Sequence, residues 1–360
     1  DWSSDVCSSD LETPPIPGDR GRFWMNRALG EGVLYHAVSS YQLLEAMLHR
    51  RLFHREERAT LLLPDFIVGK YPQWQRLEGS FFDRVALFPY LLVPHGEEGR
   101  VLADTAAAYE GLGLPPAESF FKRYVMGAHF YFSLYLEAKG LPFSFFEDAA
   151  GTLSRPDQAA AILGRKFPQH AELARRHGLF SGENPLIREV FCCLEAQARF
   201  PQLPVPVWDF SVERALEALS PWERWRLVRF FVPQPLRCRG EALLLTQQFS
   251  ALGMLTEEQQ RELYRSLAEG VLRGVPLLIK KHPDDPLDYG EVFPGARTIG
   301  TVFPAELLPY VFRGKRPQRV YAFDSASLAN LGEHFETVGL GSVEVTAPKG
   351  KPVGKEELHA

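Results

Sequence analysis

Short apolar runs recur along the chain, and segments with helical spacing lie between them. The runs have the length of buried strands and end at proline, glycine or charged residues. Strands that alternate with helices are typical of parallel sheets built from βαβ units. We therefore predict an α/β fold with two Rossmann-like domains that face a central cleft. The predicted strands cover 33–38, 59–63, 84–88, 143–146, 241–246, 275–280, 297–300 and 319–323.

Helical spacing follows the first strand, where Ser39 or Ser40 can cap a helix that runs into the basic stretch 49–51. Thr256 begins a capping-box pattern, which predicts a helix that extends to about Arg273. We also predict a long helix over 118–139, several helices over 156–220, and a last helix that ends near His334.

The length of 360 residues is more than one domain usually holds, so two domains are expected. We predict an N-terminal Rossmann-like domain with a helical crossover over 33–220, and a C-terminal one over 221–360. The segment 1–11 resembles a translated sequencing adapter, and 12–32 is rich in proline and glycine without periodicity. Residues 1–32 are therefore predicted to be artefactual or disordered, with the true start missing.

Composition narrows the class of partner. The net charge is -5, whereas a nucleic-acid binder normally carries a strongly basic face, so no nucleic acid is expected. No apolar run is long enough to cross a bilayer, and no signal peptide is visible.

Cys192 and Cys193 lie in an apolar stretch without metal-ligand spacing and are predicted to be buried. A cytoplasmic protein is expected, and the basic stretches 49–51 and 224–229 leave contact with the inner membrane face open.

An acidic pair, Glu147 and Asp148, directly follows the apolar strand 143–146. A carboxylate at this place must be solvated or hydrogen-bonded, and two adjacent acids repel each other. One of them is thus a candidate general base. The alternative is an ordinary acidic N-cap of the next helix.

A second candidate is Lys281-His282-Pro283, directly after the strand 275–280. The imidazole of His282 could donate a proton to a departing phosphate, and nearby lysines would attract the anion. A turn at the surface is the alternative, because proline and aspartate are common turn residues. Asp284-Asp285 is predicted to be a solvated part of this turn rather than a metal site.

A third candidate is the segment 324–327, where Ser325 and Ser327 lie between a strand and a helix. Hydroxyl groups and free backbone N–H groups at a helix N-terminus can bind a phosphate. Simple N-capping is the alternative.

In the order and context of these motifs, the chain resembles bacterial sialyltransferases of glycosyltransferase family 52 from Val33 to about Gly341. The lipooligosaccharide and polysialic-acid relatives in that family share an acidic motif that ends in glycine, a His-Pro motif and a serine/threonine motif. The matching segments here are 41–44, 147–148, 247, 281–283 and 325–327.

This resemblance implies a GT-B fold, CMP-sialic acid as donor, and inverting transfer to a glycan or glycolipid acceptor without a metal or other cofactor. Asp148 would be the general base, with Glu147 as the neighbouring candidate, and His282 would stabilise or protonate the leaving phosphate. The residues that would bind the nucleotide are Lys281, Pro283, Ser325, Ser327, Glu306 and Gln247.

Two positions depart from the family pattern. Ala149 stands where the glycine of the acidic motif is expected, and Ala326 separates the two serines. Two other functions stay open. One is another GT-B transferase, such as a CDP-glycerol glycerophosphotransferase, which also has His-Pro-like elements. The other is a surface-carbohydrate biosynthesis protein that has lost activity, which Ala149 would suggest.

Overall fold

A computed structural model describes residues 31–90, 97–128, 130–165, 167–199, 201–323, 328 and 331–341. These residues form two parallel sheets. The first has the strand order β3-β2-β1-β4-β5-β6-β7, and the second has the order β10-β9-β8-β11-β12. The strands are β1 Val33–His36, β2 Ala59–Pro64, β3 Arg84–Phe88, β4 Lys122–Met126, β5 Phe143–Phe146, β6 Ile187–Cys192, β7 Val207–Asp209, β8 Ala242–Leu245, β9 Leu277–Lys280, β10 Arg297–Ile299, β11 Arg319–Ala322 and β12 Glu336–Gly339.

Helices connect the strands, as crossovers in a parallel sheet require. They are α1 Ser40–Phe53, α2 Ile67–Lys70, α3 Glu98–Glu110, α4 Tyr131–Ala138, α5 Pro156–Gly164, α6 Pro168–Arg176, α7 Val212–Ala218, α8 Pro221–Phe231, α9 Glu257–Glu269 and α10 Leu308–Val311. Within the described ranges, no helix is both long and apolar enough to cross a bilayer.

The predicted α/β fold with two Rossmann-like domains is confirmed. Every strand predicted from an apolar run is present, within a few residues at either end. Two predicted helix starts also have the expected chemistry. Ser39 and Thr256 each accept a hydrogen bond from the backbone N–H three residues later, at 3.1 Å in both cases.

The predicted long helix over 118–139 is wrong. Its first part is β4, the central strand between β1 and β5, and only α4 in its second part is helical. Four of the five β4 side chains are buried, because the sheet is covered on both faces, but Lys122 and Arg123 are charged, so the strand does not stand out as an apolar run. Gly127 then turns the chain at φ +62°, a conformation in which most residues are strained.

The prediction of helices alone over 156–220 is also incomplete, because β6 and β7 lie within that range. Both strands pair in parallel and extend the first sheet beyond β5. Cys192 and Cys193, at the end of β6, are free and buried as predicted. They pack as small side chains at the edge where the strands end.

His49, in the basic stretch 49–51 named above, and the nearby His54 do not contribute charge. His49 is buried and its Nδ1 lies 2.8 Å from the hydroxyl of Tyr35. Burial lowers the pKa of His49 well below its usual value and that of His54 to about 3. Both rings are therefore neutral parts of the core, and only the arginines after them are basic.

The two sheets share part of one apolar core. A single cluster of buried side chains includes Tyr35 of the first sheet and Leu243 of the second. Phe230 and Phe231 of α8 belong to the same cluster. Apolar burial stabilises by about 25 cal/mol per Å², so the buried side of α8 helps to hold the two halves together.

Candidate functional site

The strand ends of the two sheets face each other. Lys70, at the end of α2 after β2, forms an ion pair with Asp284, which lies after β9; their Nζ and Oδ1 atoms are 3.0 Å apart. Because the carboxyl ends of parallel strands lie on one edge of a sheet, this contact places both edges at a common cleft. The acidic pair after β5 and the His-Pro segment after β9 both lie along these edges.

Glu147 is a buried carboxylate whose oxygens are already occupied. Its Oε1 accepts a hydrogen bond from the Cys193 N–H at 2.8 Å, and its Oε2 accepts from the Thr152 N–H at 3.0 Å and from Gln197 Nε2 at 2.8 Å. Burial raises the pKa of Glu147, and these hydrogen bonds act in the opposite direction. The side chain therefore ties the loop after β5 to the loop after β6.

Asp148, by contrast, is half-buried at the cleft. Its Oδ1 accepts a hydrogen bond from Gln42 Nε2 at 2.6 Å. The Gln42 amide is itself held, because its oxygen accepts from the N–H groups of Val38 and Ser39 at the start of α1. A fixed amide thus orients the one acid of the pair that solvent can reach.

Gly127 lies directly behind this hydrogen bond. A Cβ at this position would lie 2.6 Å from Gln42 Nε2 and 2.8 Å from Asp148 Oδ1, which is closer than non-bonded atoms approach. Only glycine therefore leaves room for the Gln42–Asp148 contact.

The His-Pro segment is held by Asp285, which is buried and not part of a solvated turn. Our prediction is wrong for this residue, although Asp284 is exposed as expected. The Asp285 carboxylate accepts hydrogen bonds from Thr246 Oγ1 at 2.7 Å, Tyr289 OH at 2.7 Å and Gln260 Nε2 at 2.9 Å. A buried carboxylate requires such donors, and the sequence pattern showed no sign of them.

His282 is half-buried, and its backbone N–H donates to Thr246 Oγ1 at 3.1 Å. The Asp284 N–H donates to His282 Nδ1 at 3.2 Å, so Nδ1 is an acceptor and the proton of the neutral ring is on Nε2. Burial lowers the pKa of His282 to about 4, and Lys280 and Lys70 add to the lowering. The ring is neutral at pH 7 and can donate one hydrogen bond from Nε2.

Charged groups from both halves interact on the first-domain side of the cleft. Burial raises the pKa of Glu45, on α1, well above its usual value. Nearby carboxylates raise it further, and these are Glu147, Asp148 and Glu306. Glu306 is buried after β10 and also interacts with Lys280, whose pKa burial lowers to about 8.

The structure says less about how the other predicted nucleotide-binding residues could contact a nucleotide. Lys281, Pro283 and Gln247 are half-buried, and Lys281 Nζ lies 5.9 Å from the ring centre of Tyr289. Ser325 and Ser327 lie outside the described residues. Within those residues, no group of three His, Cys, Asp or Glu side chains is arranged to hold a metal ion.

Our sequence reasoning missed three positioning residues: Gln42, Thr246 and Asp285. The capping-box pattern predicts that the side-chain oxygen of Gln42 accepts from the Ser39 N–H. It does not predict that the amide Nε2 donates to Asp148. Thr246 and Asp285 are 39 positions apart and meet only because β8 and β9 are neighbours.

Comparisons with known proteins give a fold but no family. No family model matches the chain. Over 97 residues, the chain is 35% identical to an uncharacterized protein of Haemophilus influenzae. That stretch covers 27% of this chain and 31% of the relative, so it spans less than a third of the relative's length.

Solved structures of similar shape cover most of the chain. A protein described as a UDP-N-acetylglucosamine 2-epimerase from Listeria monocytogenes matches with a TM-score of 0.50 and 11% identity, over 86% of this chain and 78% of that one. The UDP-GlcNAc 2-epimerase of Methanocaldococcus jannaschii, solved with UDP-GlcNAc and UDP, matches with a TM-score of 0.49 and 11% identity, over 83% and 80%. The chain thus has the GT-B fold that the resemblance implied.

The packing behind Asp148 leads to a prediction. We expect Gly127→Ala to lower the free energy of unfolding by more than Gly140→Ala, measured by urea denaturation. Both glycines have a φ near +63°, at +62° and +64°, but a Cβ at Gly140 would meet nothing within 4 Å. Gly140→Ala should cost about 1–2 kcal/mol for the left-handed conformation alone.

Gly127→Ala should cost about 1.5–3 kcal/mol more, because the hydrogen bond to the charged Asp148 must break. Equal losses in the two variants would contradict the contact described here.

Proposed function

We propose that this protein is an inverting, metal-independent glycosyltransferase that transfers sialic acid from CMP-sialic acid to a cell-surface glycan. The observation that carries the proposal is the placement of Asp148 and His282 on facing edges of the two sheets. Each is half-buried, and each is oriented by fully buried partners. A base on one side and a proton donor on the other suit transfer from a phosphate-activated sugar.

In this proposal, Asp148 is the general base. It takes the proton of the acceptor hydroxyl while that oxygen attacks the anomeric carbon of the donor. Glu147 is unsuited to this role, because its oxygens accept three hydrogen bonds of 3.0 Å or less from protein donors. Glu147 instead fixes the backbone from which Asp148 projects.

His282 acts on the leaving group. As the bond from the anomeric carbon to the phosphate oxygen breaks, the electron pair remains on the phosphate, and His282 Nε2–H donates to it. The free ring is neutral, with a pKa of about 4. A phosphate anion nearby would raise that pKa, because an opposite charge favours the protonated ring. Lys280 and Lys70 lie close enough to His282 to influence its pKa. Their positive charges would partly neutralise the negative charge of the departing nucleotide.

The similar structure from Listeria monocytogenes is described as a UDP-N-acetylglucosamine 2-epimerase, an enzyme of a UDP-sugar. A UDP-sugar substrate is therefore the second candidate, and it is supported by the fold alone. CDP-glycerol, considered above, is a third nucleotide donor. The nucleotide preference separates these possibilities directly.

The two acids give the first test. Asp148→Asn should lower the rate of sialic acid transfer by about 10²–10⁴-fold, the usual contribution of a general base. Its melting temperature should change little, because asparagine keeps the oxygen that faces Gln42.

Glu147→Gln is the matched variant. It should lower the free energy of unfolding by about 1–3 kcal/mol, because its NH₂ group would face protein donors. An inactive but fully stable Glu147→Gln protein, beside an active Asp148→Asn protein, would assign the base to Glu147 instead.

The donor is tested by binding. Thermal-shift assays with CMP, CDP, UDP and GDP, all in EDTA, should give the largest increase in melting temperature with CMP. Transfer from CMP-sialic acid should persist in EDTA. A larger shift with UDP would favour a UDP-sugar enzyme, one with CDP would favour a glycerophosphotransferase, and CMP binding without turnover on any glycan would indicate a protein that has lost activity.

The imidazole is tested by its titration. In NMR spectra of the free protein, His282 should be neutral above about pH 5, with the proton on Nε2. Saturating CMP should raise its pKa, and therefore the protonated fraction at pH 6. The His282→Asn protein identifies the signal by its loss. A pKa that stays at about 4 with CMP bound would show that His282 does not contact the phosphate.

A further inference from the structure

Two tryptophans project from the outer side of α8. Trp222 is 63% exposed and Trp225 is 51% exposed, although tryptophan is normally mostly buried. Their rings stack on each other with centres 4.7 Å apart and planes at 17°. The opposite side of α8 is buried in the core through Phe230 and Phe231. The helix is thus apolar on two faces, and only one of them has a partner within the described chain.

Arginines surround this pair. Arg229 lies 5.9 Å from the ring centre of Trp225, and Arg226 is exposed one position after it. Arg51 and Arg55, at the end of α1, reach the same place through Glu223, which contacts Arg51 and lies 4.0 Å from Arg55. We call these six residues the Trp–Arg face: Trp222, Trp225, Arg226, Arg229, Arg51 and Arg55.

The positive charge on this face is not balanced. Of the four arginines, only Arg51 and Arg55 lie within 4 Å of a carboxylate, that of Glu223, and no acid in the described ranges lies that close to Arg226 or Arg229. Burial lowers the pKa of Arg51, and the neighbouring guanidinium groups, including those of Arg55 and Arg226, lower it further by repulsion. Because the whole chain has a net charge of -5, this excess is local.

A small cavity opens into the face. It has a volume of about 70 Å³ and lies between α1, α8 and the loop before β3. Arg50, Arg51 and Arg226 contribute to its lining, together with Glu223. An anion at its mouth would reduce the repulsion among these guanidinium groups, since guanidinium groups bind phosphate well.

We propose that the Trp–Arg face docks this protein on a bilayer that contains anionic phospholipid. A bilayer surface presents negative phosphates and an apolar layer within a few ångströms of each other. Indole rings are favoured at this boundary, and each arginine near an anionic surface contributes about 1 kcal/mol. The inference is independent of the reaction proposed above.

The test is sedimentation with vesicles. The wild-type chain should bind vesicles of phosphatidylcholine mixed with phosphatidylglycerol, should bind phosphatidylcholine alone at least tenfold more weakly, and should be released by salt. Arg226→Gln with Arg229→Gln should weaken binding about fivefold for each arginine, the fold-change that corresponds to about 1 kcal/mol. Trp222→Ser with Trp225→Ser should weaken it at least tenfold.

Matched controls lie on the second domain. Arg265→Gln with Arg273→Gln removes the same charge, and Val271→Ser removes another exposed apolar side chain, 55% exposed. These variants should bind like the wild type, and circular dichroism should show that all variants are folded.

Three results would overturn the proposal. The first is wild-type binding that is absent or equal on both vesicle types. The second is an equal loss of binding in the control variants. The third is a dimer, detected by light scattering, that the tryptophan substitutions dissociate, because a second copy would then cover this face.

Discussion

The site depends above all on the cost of burying the Asp285 carboxylate. Its oxygens accept hydrogen bonds from Thr246, Gln260 and Tyr289, and from the Leu287 N–H at 3.1 Å. A buried charge without such donors would cost several kcal/mol. The donors come from the end of β8, from α9 and from the chain that follows the His-Pro segment. Satisfying one carboxylate therefore holds three parts of the second domain together. The imidazole of His282 is placed as a result, because its backbone bonds the same Thr246 hydroxyl.

The first domain uses the same arrangement. In each of the two acidic pairs, one carboxylate is buried and saturated with hydrogen bonds, and its neighbour projects towards solvent. Glu147 bridges the loops after β5 and β6, and Asp148 is left at the cleft with Gln42 as its partner. In the second pair the order is reversed, with Asp284 exposed and bound to Lys70. Hydrogen bonds to the buried carboxylate favour its ionised form and so offset the repulsion from the adjacent acid.

The sequence predicted more of the fold than of the site. Apolar runs and turn residues indicated eight of the strands, β1–β3, β5 and β8–β11, and the capped helices, because those features depend on neighbours in the chain. β4 was missed, because Lys122 and Arg123 interrupt the kind of apolar run by which β1 and β2 were recognised. The acidic pair and the imidazole could be proposed from their positions at strand ends. Their supports could not, because the contacts of Gln42 with Asp148 and of Thr246 with Asp285 join residues 106 and 39 positions apart.

The two halves are held by contacts of unequal strength. On the side of α8 they share apolar core, in which each large buried side chain contributes about 1.5–3 kcal/mol. At the cleft they meet through Lys70 and Asp284, an ion pair exposed enough to contribute at most about 1 kcal/mol. Glu45 and Glu306, also at the cleft, repel each other. A ligand that enters between the sheets therefore displaces weak polar contacts and leaves the apolar contact at α8 intact. The GT-B arrangement can thus admit a ligand while both domains keep their own supports for the site.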